Sequence, residues 1–265
     1  MEFSGAELAQ LRGELSSVKA IYFDLDDTLC AYWNASKAAL HATFDQHLGD
    51  RHTPADMVNH WAETYREFAP LIKSDEWYPL YLVSGDPTRK EHMRRTIARI
   101  GLQDEALAAT LSATYRFERN SRLALFSDAL ATLTTLHRHF PLGVMTNGPA
   151  DIQREELSQL GIASFFSHFF IEGEVGVGKP DPHVFQQAEL AVGLAPDEIL
   201  MVGNSFGHDI RPAILAGWKT IWLRRDSDVP PSARPGTLPE MPPADGPQPT
   251  GILGELAPLT QLLAR

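Results

Sequence analysis

Two carboxylates, Asp24 and Asp26, end the short apolar run Ala20–Phe23 in the stretch Ile21-Tyr22-Phe23-Asp24-Leu25-Asp26-Asp27-Thr28-Leu29. Residues two apart on an extended segment share a face. Two acids brought together repel unless a cation or a shared proton relieves them. Mg2+ is a natural relief, since it takes oxygen ligands and is usually held by one or two carboxylates together with substrate phosphate. The plain alternative is a strand followed by a solvated acidic turn, and this stretch alone does not separate the two.

Further polar groups follow other apolar runs: Thr146 and Asn147 after 142–145, Lys179 in the glycine-rich loop after 168–171, and Asn204 and Asp209 after 199–202. Each has a structural reading of its own. Asn147-Gly148 is a common turn pair, and Asn204 and Asp209 can cap the helix beginning near Ile210. What favours chemistry is that all of them follow strand-like runs, in order. The set suits phosphoryl transfer. One carboxylate can attack phosphorus to give an aspartyl phosphate, and a second can protonate the leaving alkoxide and later deprotonate water. A lysine, a hydroxyl, an amide and a metal ion supply the positioning and charge stabilisation that such a reaction needs.

The elements that must carry these groups fall into two kinds. After a short polar helix within residues 1–18 and the first strand, the pattern is helical for about ninety residues, judged by the 3.6-residue period. Leu40, Phe44 and Leu48 share one face, Val58, Trp61, Tyr65 and Phe68 a second, Met93, Ile97 and Ile100 a third, and Leu107, Leu111 and Tyr115 a fourth. Such helices suggest a small bundle inserted after the first strand. From about Phe126 helices and strands alternate, which implies a parallel sheet with helices on both faces. The stretch 228–251 holds eight of the nineteen prolines and reads as an extended surface loop. Residues 252–265, with Leu253, Leu256, Leu259 and Leu262, read as a final helix.

A balance of 23 basic against 34 acidic residues, net −11, argues against nucleic acid and against anionic membrane surfaces as partners. No run approaches the roughly twenty apolar residues of a membrane span. The single cysteine, Cys30, excludes an internal disulfide, and Glu2, Glu7 and Glu14 depart from the basic start of a signal peptide. A cytoplasmic location is the expectation. Cys30 reads as a small buried apolar residue, and Tyr32 and Trp33 lie close enough to the acidic turn to reach the cleft.

The segments Asp24-Leu25-Asp26-Asp27-Thr28, Thr146-Asn147-Gly148, Lys179-Pro180-Asp181-Pro182 and Gly203-Asn204-Ser205 with Asp209 resemble, in order and spacing, the four motifs of the haloacid dehalogenase-like (HAD) hydrolase superfamily. The resemblance covers about residues 18–30 and 120–225. It implies an α/β fold, a Rossmann-like doubly wound parallel sheet formed by residues 1–30 and 119–265, with an α-helical cap domain inserted at 31–118. By resemblance Asp24 is the nucleophile, and Asp26 is the general acid/base that also offers its backbone carbonyl to Mg2+. Thr146 and Asn147 then hold the transferring phosphoryl group, Lys179 neutralises it, and Asn204 and Asp209 complete the metal site. The implied activity is a Mg2+-dependent phosphatase acting on a small phosphorylated metabolite. The dehalogenases of the family lack the second carboxylate of the first motif, which Asp26 supplies here. A phosphomutase acting on a sugar phosphate and a non-catalytic binding or regulatory protein are the alternatives.

The fourth motif of the family usually begins Gly-Asp, whereas Asn204 follows Gly203 here. An amide oxygen can coordinate a hard cation but contributes no charge. Asn204→Asp is therefore expected to lower the Mg2+ concentration needed for activity.

Overall fold

The computed structural model describes residues 5–241 and 244–264. The first four residues of the expected N-terminal helix, Pro242 and Pro243 of the proline-rich stretch, and Arg265 lie outside the described residues. Among the described residues six parallel strands form one sheet: β1 (Ala20–Phe23), β2 (Leu142–Thr146), β3 (His168–Ile171), β4 (Ile199–Gly203), β5 (Lys219–Leu223) and β6 (Gly251–Leu253), in the order β3-β2-β1-β4-β5-β6. The order reverses between β1 and β4. In open α/β sheets ligands bind at such a switch point, outside the carboxyl ends of the strands.

The helices are α1 (Gly5–Glu14), α2 (Tyr32–Leu48), α3 (Pro54–Phe68), α4 (Tyr78–Val83), α5 (Asp86–Ala98), α6 (Glu105–Arg122), α7 (Ala129–Leu136), α8 (Ala150–Gln159), α9 (Glu172–Val175), α10 (Pro182–Val192), α11 (Arg211–Leu215) and α12 (Pro258–Leu262). Strand alternation divides the core into two layers. Ile21, Phe23, Val144, Leu200 and Val202 face Leu11, Leu133, Leu157 and Leu259 of α1, α7, α8 and α12. Tyr22, Met145, Ile199 and Met201 face Val184, Phe185 and Ala188 of α10 and Ala213 of α11. The sheet is thus covered on both faces, as a doubly wound parallel sheet requires.

Between β1 and β2 the chain departs into α2–α6. The apolar faces read from periodicity meet in a separate cluster that includes Leu40, Phe44, Trp61, Met93, Ile97, Leu111 and Tyr115. Among the described residues no helix is long and apolar enough to cross a membrane.

The C-terminal region differs from its sequence pattern. The expected helix over 252–265 is β6 followed by the short α12, although Leu253, Leu256, Leu259 and Leu262 are all buried in the main core. Of these leucines only Leu253 lies on the strand, and Leu259 and Leu262 lie on α12. Main-chain pairing of Ile221 with Gly251 and of Leu223 with Leu253 selects the strand. The proline-rich stretch docks on the molecule at specific points. Glu240 Oε2 accepts Phe206 N–H at 3.2 Å, Arg224 Nε donates to Glu240 O at 2.8 Å, and Arg66 of α3 donates to Ser232 O at 2.6 Å.

Candidate active site

β1 delivers Asp24 directly to the switch point. Its N–H still donates to Val202 O of β4 at 2.9 Å, so the residue is held by the sheet although it lies just past the strand. Lys179 Nζ donates to Asp24 Oδ1 at 2.7 Å and to Asp209 Oδ1 at 2.5 Å, and all three side chains are buried. Thr28 Oγ donates to Asp24 Oδ2 at 2.9 Å. Burial raises the Asp24 carboxyl to about 6; Lys179 draws it down and Asp209 pushes it up. For Lys179 burial opposes the charge, but Asp209 and Asp24 outweigh it and the ammonium is raised above its ordinary value.

Lys179 is fixed through its own backbone. Asn147 Nδ2 donates to Lys179 O at 2.7 Å, and Lys179 N–H donates to Asn147 Oδ1 at 2.8 Å. Both polar ends of the Asn147 side chain are thus engaged in holding the lysine. Gly178 permits this approach, because a Cβ there would stand 2.5 Å from Asn147 Oδ1. Gly203 serves a similar need, since a Cβ at that position would collide with the Asp209 side chain. Asp209 is turned inward, with Oδ2 accepting Ser205 N–H at 2.9 Å.

Asp26 is half-buried two residues beyond Asp24. Burial first, and the Asp24 charge second, raise it to about 7, while Arg119 and Gln153 act in the opposite direction. Gln153 Nε2 lies 3.4 Å from Asp26 Oδ2 and 3.1 Å from Glu156 Oε2, and Thr146 Oγ donates to Gln153 Oε1 at 2.7 Å. Behind them Arg119 of α6 pairs with the buried Glu156 at 3.2 Å and donates to the Tyr32 hydroxyl at 3.1 Å. Gln153, Glu156 and Arg119 lie outside the sequence motifs. The available signal is that Gln153 and Glu156 stand three apart and so share one face of α8.

Asp27, the third acid of the turn, leaves the site. Its φ of 58° is left-handed, and its carboxylate accepts Trp33 N–H at 3.1 and 3.2 Å near the start of α2. It is buried, and that burial raises it to about 9.

Asn204 completes the group. The Thr28 hydroxyl lies 3.2 Å from Asn204 Oδ1 as well as 2.9 Å from Asp24 Oδ2, so these two oxygens converge within reach of one side chain. The convergent atoms are hard oxygens, which fit a cation such as Mg2+. Among the described residues no three His, Cys, Asp or Glu side chains are grouped as a metal-binding cluster. Asp24 Oδ2 and Asn204 Oδ1 are the oxygens that could hold such a cation at this point, while Asp209 is turned toward Lys179.

A profile of the haloacid dehalogenase-like hydrolases matches residues 18–217. The chain is 31% identical to a phosphoserine phosphatase from Thermus thermophilus over 253 residues, covering 84% of this chain and 98% of that one. It is 32% identical to a glyceraldehyde 3-phosphate phosphatase from Methanopyrus kandleri, covering 80% and 91%. Its fold is similar to that of the magnesium-bound HAD-hydrolase YfnB from Bacillus subtilis, with TM-score 0.68, 21% identity and coverage of 94% and 99%. By its sequence, its sheet order and the groups gathered at the ends of β1, β2 and β4, the chain belongs to the haloacid dehalogenase-like hydrolase family.

Proposed function

We propose that the protein is a Mg2+-dependent phosphatase that hydrolyses a small phosphorylated metabolite through an aspartyl phosphate on Asp24. The observation that carries this reading is the asymmetry of the two acids. Asp24 has Lys179 at 2.7 Å on one oxygen, while the more exposed Asp26 is raised to about 7 and can hold a proton near neutral pH.

In the first half-reaction a carboxylate oxygen of Asp24 attacks phosphorus and the bond to the leaving oxygen breaks. Asp26 gives its proton to that oxygen as the alcohol departs. Lys179 offsets the charge gathering on Asp24 and the phosphoryl group, and the Thr146 hydroxyl, given to Gln153 Oε1, positions Gln153 beside Asp26. In the second half Asp26, now a carboxylate, takes a proton from the attacking water. Inorganic phosphate leaves, and both acids return to their starting states. Mg2+, when bound, supplies positive charge to the phosphoryl oxygens. Asn147 serves by holding Lys179 rather than by a free amide of its own.

Residues 31–118 act as a cap domain over the core formed by 1–30 and 119–265. Two contacts at the cap edge support this: Lys73 and Tyr78 both reach the buried Glu172, whose other oxygen accepts Gly148 N–H at 3.1 Å. Closure of such a lid excludes water and selects the substrate. Cys30 is buried and free, in keeping with action in the cytoplasm.

Release of inorganic phosphate from a generic aryl phosphate in Mg2+, and its loss in Asp24→Asn, is the expected result. A wild-type protein that turns over no phosphoester would leave the non-catalytic reading instead. A panel of phosphorylated acids, sugars and nucleotides, headed by phosphoserine and glyceraldehyde 3-phosphate after the named relatives, identifies the substrate. Retention of the phosphoryl group on a sugar product would make it a phosphomutase.

A further inference from the structure

Asn204 stands where the fourth motif normally carries an acid, yet a carboxylate does reach this point from elsewhere in the chain. Asn204 Nδ2 donates to Asp228 Oδ1 at 2.9 Å. The charge of Asp24 is felt there as well. The side chain is half-buried rather than free in solvent. It sits just beyond β5, where the chain is held from both sides. Arg225 pairs with Asp128 at 2.9 Å on the core, Asp228 N–H donates to Arg225 O at 3.1 Å, and Ser232 O accepts Arg66 of α3.

An amide side chain presents its oxygen or its nitrogen to a given neighbour according to the partners it finds. With Asp228 accepting from Nδ2, the Asn204 oxygen is turned toward Thr28 and Asp24. The main chain of Asn204 is fixed as well, its carbonyl accepting the Trp222 indole N–H at 2.7 Å.

We propose that Asp228 is a positioning residue for the metal site. It fixes Asn204 with Oδ1 toward the cation, and from one layer out it supplies the negative charge that Asn204 does not carry. A carboxylate outside the first layer commonly sets both the orientation and the donor strength of the ligand it touches. The start of the proline-rich stretch thereby brings a replacement acid to the fourth motif from a different part of the sequence. This role for Asp228 rests on the reading of the site as a Mg2+ site.

The geometry also reverses the effect expected of the simplest repair. Asn204→Asp alone sets two carboxylates against each other across a 2.9 Å contact, whereas Asn204→Asp with Asp228→Asn restores one acid and one amide in exchanged places. Binding of MgCl2 to the full-length, metal-stripped protein, measured by calorimetry without substrate, tests this. Asp228→Ala should weaken Mg2+ roughly ten- to hundredfold. Asp228→Asn should weaken it less, because its amide oxygen can still accept from Asn204. In the Asn204→Asp background the sign should invert, and Asp228→Asn should tighten Mg2+. Unchanged affinity in Asp228→Ala, or equal weakening by Asp228→Asn in both backgrounds, overturns the proposal. A loss of fold in Asp228→Ala would show in its circular dichroism, and the isosteric Asp228→Asn pair then decides alone. Failure of the wild-type protein to bind Mg2+ at all would remove the metal reading itself, a result separable from either of these.

Discussion

Gln153 accepts the Thr146 hydroxyl at 2.7 Å, and through the same side chain it ties the end of β2 to the acid of the first motif. Its amide nitrogen stands between Asp26 and Glu156 and can favour the ionised form of either. Gln153→Leu removes the bridge without adding charge. Asp26 loses a donor, Thr146 loses its acceptor, and neither is held at the phosphoryl position. We expect kcat on an aryl phosphate to fall by about a hundredfold, the lower end of what a misplaced general acid costs. KM should change little. A variant that lost KM and kept kcat would make Gln153 a substrate-binding group instead.

The two acids predict a narrow pH profile. Asp24 attacks as a carboxylate, so kcat/KM rises as pH passes upward through about 6. Asp26 donates as an acid, so the rate falls as pH passes above about 7. A bound cation favours the Asp24 anion and carries the acid limb to lower pH. The alkaline limb belongs to Asp26, and because Gln153 lowers that carboxyl, Gln153→Leu should move the limb upward. Profiles of the wild type and the variant measure this directly. An alkaline limb that stays fixed would assign it to another group.

The parts of this site that a sequence can show are those whose position follows from the strands. Asp24, Thr146, Lys179 and Asn204 are legible because each closes or follows a short apolar run, and in a parallel sheet every such run ends at the same edge. Gln153 and Glu156 are not. They lie on α8 among Asp151, Arg154 and Glu155, and which of these polar side chains turns inward is decided by the packing of the helix on the sheet. Arg119 is hidden in the same way among Arg116, Glu118 and Arg122 of α6. Asp228 is harder still, since it opens a proline-rich stretch whose composition indicates only that it is not a helix. Three residues of β6 carry too short a pattern to distinguish strand from helix, and pairing with β5 supplies what local sequence does not.

Asp27 offers a prediction about stability. Its carboxyl is raised to about 9 in the folded protein against about 3.9 in an unfolded chain. The folded state therefore holds more protons between those values, and the contribution of Asp27 to stability declines as pH rises through that window. Asn is neutral at every pH and tolerates the left-handed φ of 58°. Asp27→Asn should match the wild type near pH 4 and exceed its melting temperature at about pH 8 by a few degrees, in line with a gain of about 1 kcal/mol or more. Scanning calorimetry across pH checks the trend. A difference constant with pH would mean that Asp27 is not the group that titrates.

Arg119 and Glu156 form the buried ion pair that joins the last inserted helix to the core. Arg119 is 3% exposed and Glu156 fully covered, and their closest approach is 3.2 Å. Removing one member of such a pair strands the other's charge, whereas replacing both with apolar groups of similar size is often neutral. Arg119→Met should therefore cost about 3 kcal/mol, while Arg119→Met with Glu156→Leu should recover most of it. The single variant carries a second signature. Arg119 holds the Asp26 carboxyl down, so its loss should shift the alkaline limb of the rate profile upward. Recovery of stability in the double variant without return of that limb would separate the two roles of Arg119, one in joining α6 to α8 and the other in setting the proton affinity of the acid. Return of the limb in the double variant would instead assign the shift to Glu156.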